Sequence, residues 1–389
     1  MKTNAQFSRT RLQLARAFNE LTQAELGERL GVGQAFIGQI ETGRKQPSDL
    51  LVLAMSDTLG VEPNFFFDAS ADEYRVEEWS FRRFQSASAG DMSRLLAQGT
   101  LLCMLVEFLD GALKLPADNL PTVQRPTSRE EIERAADLCR EQLGLGLDVP
   151  IVNVTRAFER AGVIFATVGG GNGKIDAISR SAGQRGVILL SEDKGSASRR
   201  LFDVSHEGGH LVMHQGIETG THETEEEANA FASAFLLPRR GFIREFPRPP
   251  SKGSWTRSYW MDLFDMKRRW RASVAAIVRR GFDLKMIDAS QYQRAMKYMS
   301  AQGWLRHGEP ATTEPAMEKP ELLPNALAVL EKQRGITPLN VASALGWKPE
   351  TLAKIIPQSI QIEPPVQNEP TMAQVILFPP RHLGTTGSS

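Results

Sequence analysis

The sequence predicts a mainly α-helical chain with one small β-sheet, an α+β class assembled from several domains. Three observations carry this. Apolar residues recur at three- and four-residue intervals over most of the chain. Two short runs, "GVIFATV" (162–168) and "GVILLS" (186–191), are dense in β-formers and bounded by glycine. Proline-rich stretches at 114–126 and 308–324 interrupt the helical pattern and read as linkers. A length of 389 residues exceeds what one core ordinarily serves, so two or three domains are expected.

Taken in order, residues 1–68 form a bundle of short helices, with apolar rows Leu12, Ala15, Phe18, then Leu26, Leu30, then Ile37, Ile40, then Leu50, Leu53, Ala54. Thr22 with Glu25 three residues on is a capping box, and Gly31 and Gly43 suit helix ends. Residues 69–127 are a connector holding a helix at about 90–114. Amphipathic helices follow at 128–144 and 150–162, then the two strand runs, separated by a Gly-rich stretch at 169–185. The run "TEEEANAFASAFLLP" is a helix ended by Pro238, and 255–305 is helical again, within an extension at 246–308. Residues 321–357 form a small helical module, read as a packing or protein-contact unit, and 358–389 an unstructured tail.

Composition sets limits. Formal net charge is zero, so no global field marks a nucleic-acid or membrane partner, although a local basic surface is still allowed. Cys103 and Cys139 sit in apolar helical stretches without a pairing pattern, as reduced core residues of a cytoplasmic protein. The N-terminus lacks the apolar core of a signal peptide, and "TLLCMLVEFLDGALKL" is read as too short and too charged to span a membrane.

The chemistry concentrates in "FDVSHEGGHLVMH" (202–214). A helix brings residues four apart onto one face, so His206 and His210 can offer two imidazoles to one ion, with Glu207 beside the first placed to act on water. The competing reading is a helix that happens to carry two histidines. A third ligand is required, and Glu225, Glu226 and Glu227 open the next helix. The apolar row Ala228, Ala232, Phe235, Leu236 fixes its buried face and turns Glu225 and Asn229 together toward the motif helix. Glu225 is then the third ligand and Asn229 a hydrogen-bond partner of a ligand. His214 and His222 are candidate donors to the transition state. Gly208 and Gly209 inside the helix each cost about 1 kcal/mol relative to Ala, explained either by close packing or by room for substrate.

The run from 202 to 214 followed by "EEEANAFASAFLLP" resembles the ImmA/IrrE family of zinc metallopeptidases over roughly residues 130–245. The resemblance implies a gluzincin-like domain at 128–245 that binds Zn2+, with Glu225 matching the family's third ligand. It implies an edge strand that holds an extended substrate, for which 186–191 is the candidate.

A second resemblance lies in "LTQAELGERLGVGQAFIGQIETGRKQPS", which is similar to the Xre class of helix-turn-helix. It implies a helix pair at 23–30 and 34–41, the second entering the DNA major groove. On that reading Ala24, Leu30, Val32, Ile37 and Ile40 pack inward, while Gln34, Ala35, Phe36, Gly38 and Gln39 face out. Gln34 and Gln39 suit adenine and Phe36 a thymine methyl, with Ala35 on the same DNA-facing side; Gln23 suits a phosphate or the first base, and Arg44 and Lys45 the phosphates. The expected partners are a DNA operator, bound as a homodimer, and a protein substrate, a repressor or other regulator cleaved in a stress or mobile-element response. A sensor domain with weak or no catalysis, and an antitoxin-like interaction protein, are the other readings.

Overall fold

The computed structural model describes residues 6–67, 79–81, 89–168, 177–182, 185–191, 195–217, 219–250 and 255–357. The expected tail and most of the Gly-rich stretch lie outside them. The N-terminal bundle comprises α1 (Arg9–Phe18), α2 (Gln23–Arg29), α3 (Gln34–Glu41), α4 (Asp49–Leu59) and a 3₁₀ turn at Pro63–Phe67. Ser8, Thr22 and Ser48 cap three of these helices, Thr22 with Glu25 in the expected capping box. Leu12, Leu26, Ile37, Ile40 and Met55 are buried as the periodicity requires. The expected row on α4 is corrected in part, because Leu50 and Leu53 are 79% and 50% exposed. Ala24 is likewise exposed rather than packed inward.

The chain continues into a short strand, β1 (Trp79–Phe81), and the long α5 (Ala89–Ala112). Contrary to the sequence reading, α5 is long and apolar enough to cross a membrane by length and composition, and 56% of its apolar window is buried against the rest of the chain. Beyond it lie α6 (Arg129–Gln142), α7 (Val154–Arg160), β2 (Ile164–Val168), β3 (Ala177–Ala182) and β4 (Arg185–Ser191). β3 falls in the stretch read only as a Gly-rich separator. The sheet has the order β1-β3-β4-β2, with β2 and β4 parallel and the other pairs antiparallel. The 186–191 run is therefore an interior strand, not the substrate-holding edge expected of it; both of its edges are already paired.

Side chains alternate across a strand, and here the two faces serve different cores. Ile164, Ala166, Val187 and Leu189 join the N-terminal bundle and α5 in one core. Val163, Phe165, Ile188 and Leu190 join a second core built from α6, α7, α8 (Ala197–Met213), α9 (His222–Leu236), α10 (Arg239–Glu245), α11 (Arg257–Trp270), α12 (Val274–Asp283) and α13 (Ala289–Ala301). After the one-turn α14 (Trp304–His307), the chain returns to the first core through α15 (Leu322–Arg334), α16 (Pro338–Ala344) and α17 (Pro349–Ile355). That C-terminal module packs on the N-terminal bundle: Trp347 bridges Val61, the Lys348 amide donates to the Gly60 carbonyl (3.0 Å), and Lys348 pairs with Asp57 at 2.6 Å.

The stretch 308–324 is no loose linker. Its glutamates supply carboxylates to the free amides at helix N-termini, where the backbone lacks partners and the dipole favours negative charge. Glu309 accepts from Ala275 at the start of α12, Glu314 from Ser198 at the start of α8, and Glu318 from Val154 and Thr155 at the start of α7. Lys267, fully buried, bridges Glu309 and Glu314 at 2.6 Å each, and Arg271 meets Glu318 at 2.6 Å. The 114–126 stretch is pinned too, through the Asn119 and Val123 amides, which donate to Ala161 and Val212.

Candidate metal centre

The motif helix α8 is capped by Ser196 and braced there by Glu314, while Thr221 caps α9. The two helices pack side by side with their polar residues converging. His206 and His210 are almost wholly enclosed, and their Nε2 atoms lie 3.2 Å apart. Glu225 reaches across from α9, one carboxylate oxygen 3.3 Å from His206 Nε2 and the other 3.4 Å from His210 Nε2.

These three distances test for a metal. A tetrahedral ion with ligand bonds of about 2.0–2.1 Å has ligand–ligand edges of about 3.3–3.4 Å. The observed triangle has nearly that size, and all three potential ligand atoms lie within 4.8 Å of one another. Burial raises the Glu225 pKa, but the two imidazoles outweigh it and hold the carboxyl down at about 2, so it faces them as an anion.

Further groups orient the imidazoles. Asn229 Oδ1 lies 3.0 Å from His206 Nδ1, one turn beyond Glu225 on α9. His214 Nδ1 lies 2.8 Å from His210 Nδ1, and His214 Nε2 lies 2.7 Å from Glu227. Glu227 in turn accepts a forked pair from Arg125. His214 is completely enclosed, and burial together with neighbouring His210 lowers its pKa to about 4, so it is neutral near pH 7. Both ring nitrogens of His214, expected as a possible donor to the transition state, are here directed at His210 and Glu227. His222 is 81% exposed, with Glu226 as its ion-pair partner at 3.8 Å; it stands on the surface rather than in the cluster. Glu207 is buried beside His206.

The glycines are explained by packing. A Cβ at Gly208 would run into the Phe158 ring from α7, and one at Gly209 would come within 3.0 Å of Phe231 from α9. The helix gives up side chains there so that two aromatic rings can press it into place behind the ligands.

A cleft of about 1590 Å³ opens alongside, lined by Asp203 and Phe202 of α8, Glu227 and Asn229 of α9, and Arg125 and Arg129. Asn229 and Glu227 thus touch both the cleft and the histidines. Sequence reasoning missed Glu227 and Arg125. The only signal was three adjacent glutamates, and which of them turns inward depends on the rotation of α9.

In the N-terminal bundle, Gln34, Ala35, Arg44 and Lys45 are exposed on and after α3, whereas Phe36 and Gln39 are half-buried. Lys45 lies over the Phe36 ring, 5.1 Å from its centre. Gln23 is partly spent internally: its amide donates to Glu41 at 2.8 Å. Buried Glu41 also holds Arg16 at 2.6 Å and so ties α1, α2 and α3 together, a role the sequence did not disclose.

Comparison with known proteins agrees with this division. Residues 12–66 match the helix-turn-helix family model, and residues 161–281 match the IrrE N-terminal-like domain of peptidase family M78. The second match includes α11 and most of α12, which the sequence reading set apart as an extension. A search of curated proteins finds no match. The enclosed His-His-Glu triangle thus lies in the segment that matches a peptidase family generally dependent on metal, and a helix-turn-helix match precedes it, so over these two segments the chain matches ImmA/IrrE proteins with an N-terminal helix-turn-helix domain.

Proposed function

We propose that the chain is a zinc-dependent endopeptidase that cleaves a repressor or another regulatory protein, in a stress or mobile-element response, while its N-terminal domain binds an operator. The observation that carries the enzyme reading is the tetrahedron-sized triangle of His206, His210 and Glu225, which Asn229 connects to the wall of an open cleft that the three do not themselves line. Zinc held there would polarise the scissile carbonyl and acidify water. Glu207, the residue after the first ligand, takes the proton of the attacking water and returns it to the leaving amine. Asn229 accepts from His206 Nδ1 and so keeps the Nε2 lone pair directed at the ion. The cleft, with carboxylates and guanidiniums on its walls, receives the polypeptide.

The DNA reading rests on exposed Gln34, Ala35, Arg44 and Lys45 about α3. A homodimer on two half-sites is supported by exposed Leu50 and Leu53 on α4, apolar surface of the kind a second copy covers. A DNA partner supports a cytoplasmic location. One observation favours the sensor reading instead: the sheet beside the cleft is shared with the DNA-binding body, so occupation of the cleft can reach it without any bond being cut.

The decisive experiment measures zinc content and cleavage of candidate helix-turn-helix repressors. Glu207→Gln should retain the metal and lose about 100-fold or more of the activity. If His206→Ala leaves both metal content and activity unchanged, the metal assignment fails. If wild type binds zinc and a substrate but cuts nothing, the sensor reading stands.

A further inference from the structure

We infer that Glu227, through His214, sets the tautomer of His210 and thereby makes it a metal ligand. The inference rests on the proposed metal centre, but its geometry stands apart from it. Four side chains form one line: Arg125, Glu227, His214, His210. The Glu227 carboxylate, clasped by Arg125, only accepts. His214 must therefore donate to it from Nε2. A neutral imidazole has a single N–H, so His214 Nδ1 is left as an acceptor. The contact of 2.8 Å between the two Nδ1 atoms then requires His210 to donate from Nδ1. His210 Nε2 is left with a bare lone pair, 3.2 Å from His206 Nε2 and 3.4 Å from Glu225.

Each link admits one direction, and the direction originates at the anion. Reverse it, and the His210 proton would sit on Nε2, inside the triangle where the ion belongs. His206 is treated the same way by a simpler device, the acceptor oxygen of Asn229. The two ligands are thus oriented from α9 by different routes, His206 by Asn229 directly and His210 by Glu227 through His214. Arg125 and Glu227 line the cleft, at 39% and 16% exposure, so the far end of the line meets whatever enters it. Glu227 and His214 are positioning residues; neither is placed to touch the reacting atoms.

The test uses the full-length protein and two readouts other than activity. Zinc affinity, by chelator competition, should fall roughly 10- to 100-fold in Glu227→Gln. It should fall at least as far in His214→Phe, and the double variant should be no worse than His214→Phe alone, because both changes break one line. Additive losses, or wild-type affinity in Glu227→Gln with an unchanged melting temperature, would overturn the inference. Independently, imidazole ¹⁵N spectra of the metal-free protein should show His210 protonated at Nδ1 and His214 at Nε2. The opposite pair refutes the line even if zinc never binds. A wild type that binds no zinc defeats the proposed function instead, and the spectra then decide this inference alone.

Discussion

At Gly208 two physical effects oppose each other, and their sizes decide the outcome. Alanine favours a helix over glycine by about 1 kcal/mol. Its methyl group, however, would enter the Phe158 ring, which is itself fully buried and lies tilted against Phe235. Overpacking a well-filled core costs about 1–3 kcal/mol, so Gly208→Ala is expected to destabilise on balance. Gly209→Ala, facing Phe231 at 3.0 Å, should be the milder change. Urea titrations of the two variants check the order; a stabilised Gly208→Ala would mean that the ring can swing away. The same scale governs DNA reading. Gln34→Ala should relax preference at one base pair by about 1–3 kcal/mol, whereas Lys45→Ala should weaken all sequences alike and flatten the salt dependence. Operator titrations at several salt concentrations separate the two. Cys103 and Cys139 need no such test of reactivity, since burial pushes both thiols up to about 12.

Among the elements, the strap at 308–324 is the least expected. Lys267, with no exposed surface, holds Glu309 and Glu314, which in turn hold the first turns of α12 and α8. Lys267→Met leaves two carboxylates facing each other in a buried site, and loss of one partner of such a cluster costs about 3–5 kcal/mol. Chemical denaturation at neutral pH measures this; a loss below about 1 kcal/mol would show the strap to be incidental. The pH dependence has a definite sign. Burial raises the Glu314 pKa, but Lys267 and the Ser198 amide together hold it below the ordinary carboxylate value. Its stabilising contribution is present above the unfolded carboxylate range and is lost as pH falls through the lower, folded value. Stability curves should therefore drop in acid for wild type and drop less for Lys267→Met, and parallel curves would sink the assignment.

At the scale of the whole molecule, β4 joins two bodies. Ile188 lies in the core around the candidate metal centre, and its neighbour Leu189 lies in the core of the helix-turn-helix bundle. Neither core is complete without the sheet, so both should melt in one cooperative transition. Leu189→Ala, at a cost of about 2–5 kcal/mol, should lower the midpoint reported by Trp260 and Trp270 in the other body as well as the midpoint for operator binding. Two separated calorimetric transitions would show the bodies to be independent. Because α15–α17 close the first core, a chain ending before residue 321 should also lose operator binding.

Local chemistry made much of this protein legible. Four-residue spacing put His206 and His210 on one face, the apolar row of α9 turned Glu225 and Asn229 toward them, and capping residues placed helix starts. These are matters of backbone geometry within a few turns, which a sequence alone determines. Tertiary structure decided what depends on contacts between distant segments. Only the packing of α8 on α9 shows that His214 looks inward to Glu227 while His222 faces water. Only the sheet order makes 186–191 interior, since hydrogen-bond partners are not encoded in a strand's own pattern. And only the folded chain shows that Glu309, Glu314 and Glu318 cap other helices, because a carboxylate near prolines reads as solvated until an unpaired helix end is brought to meet it.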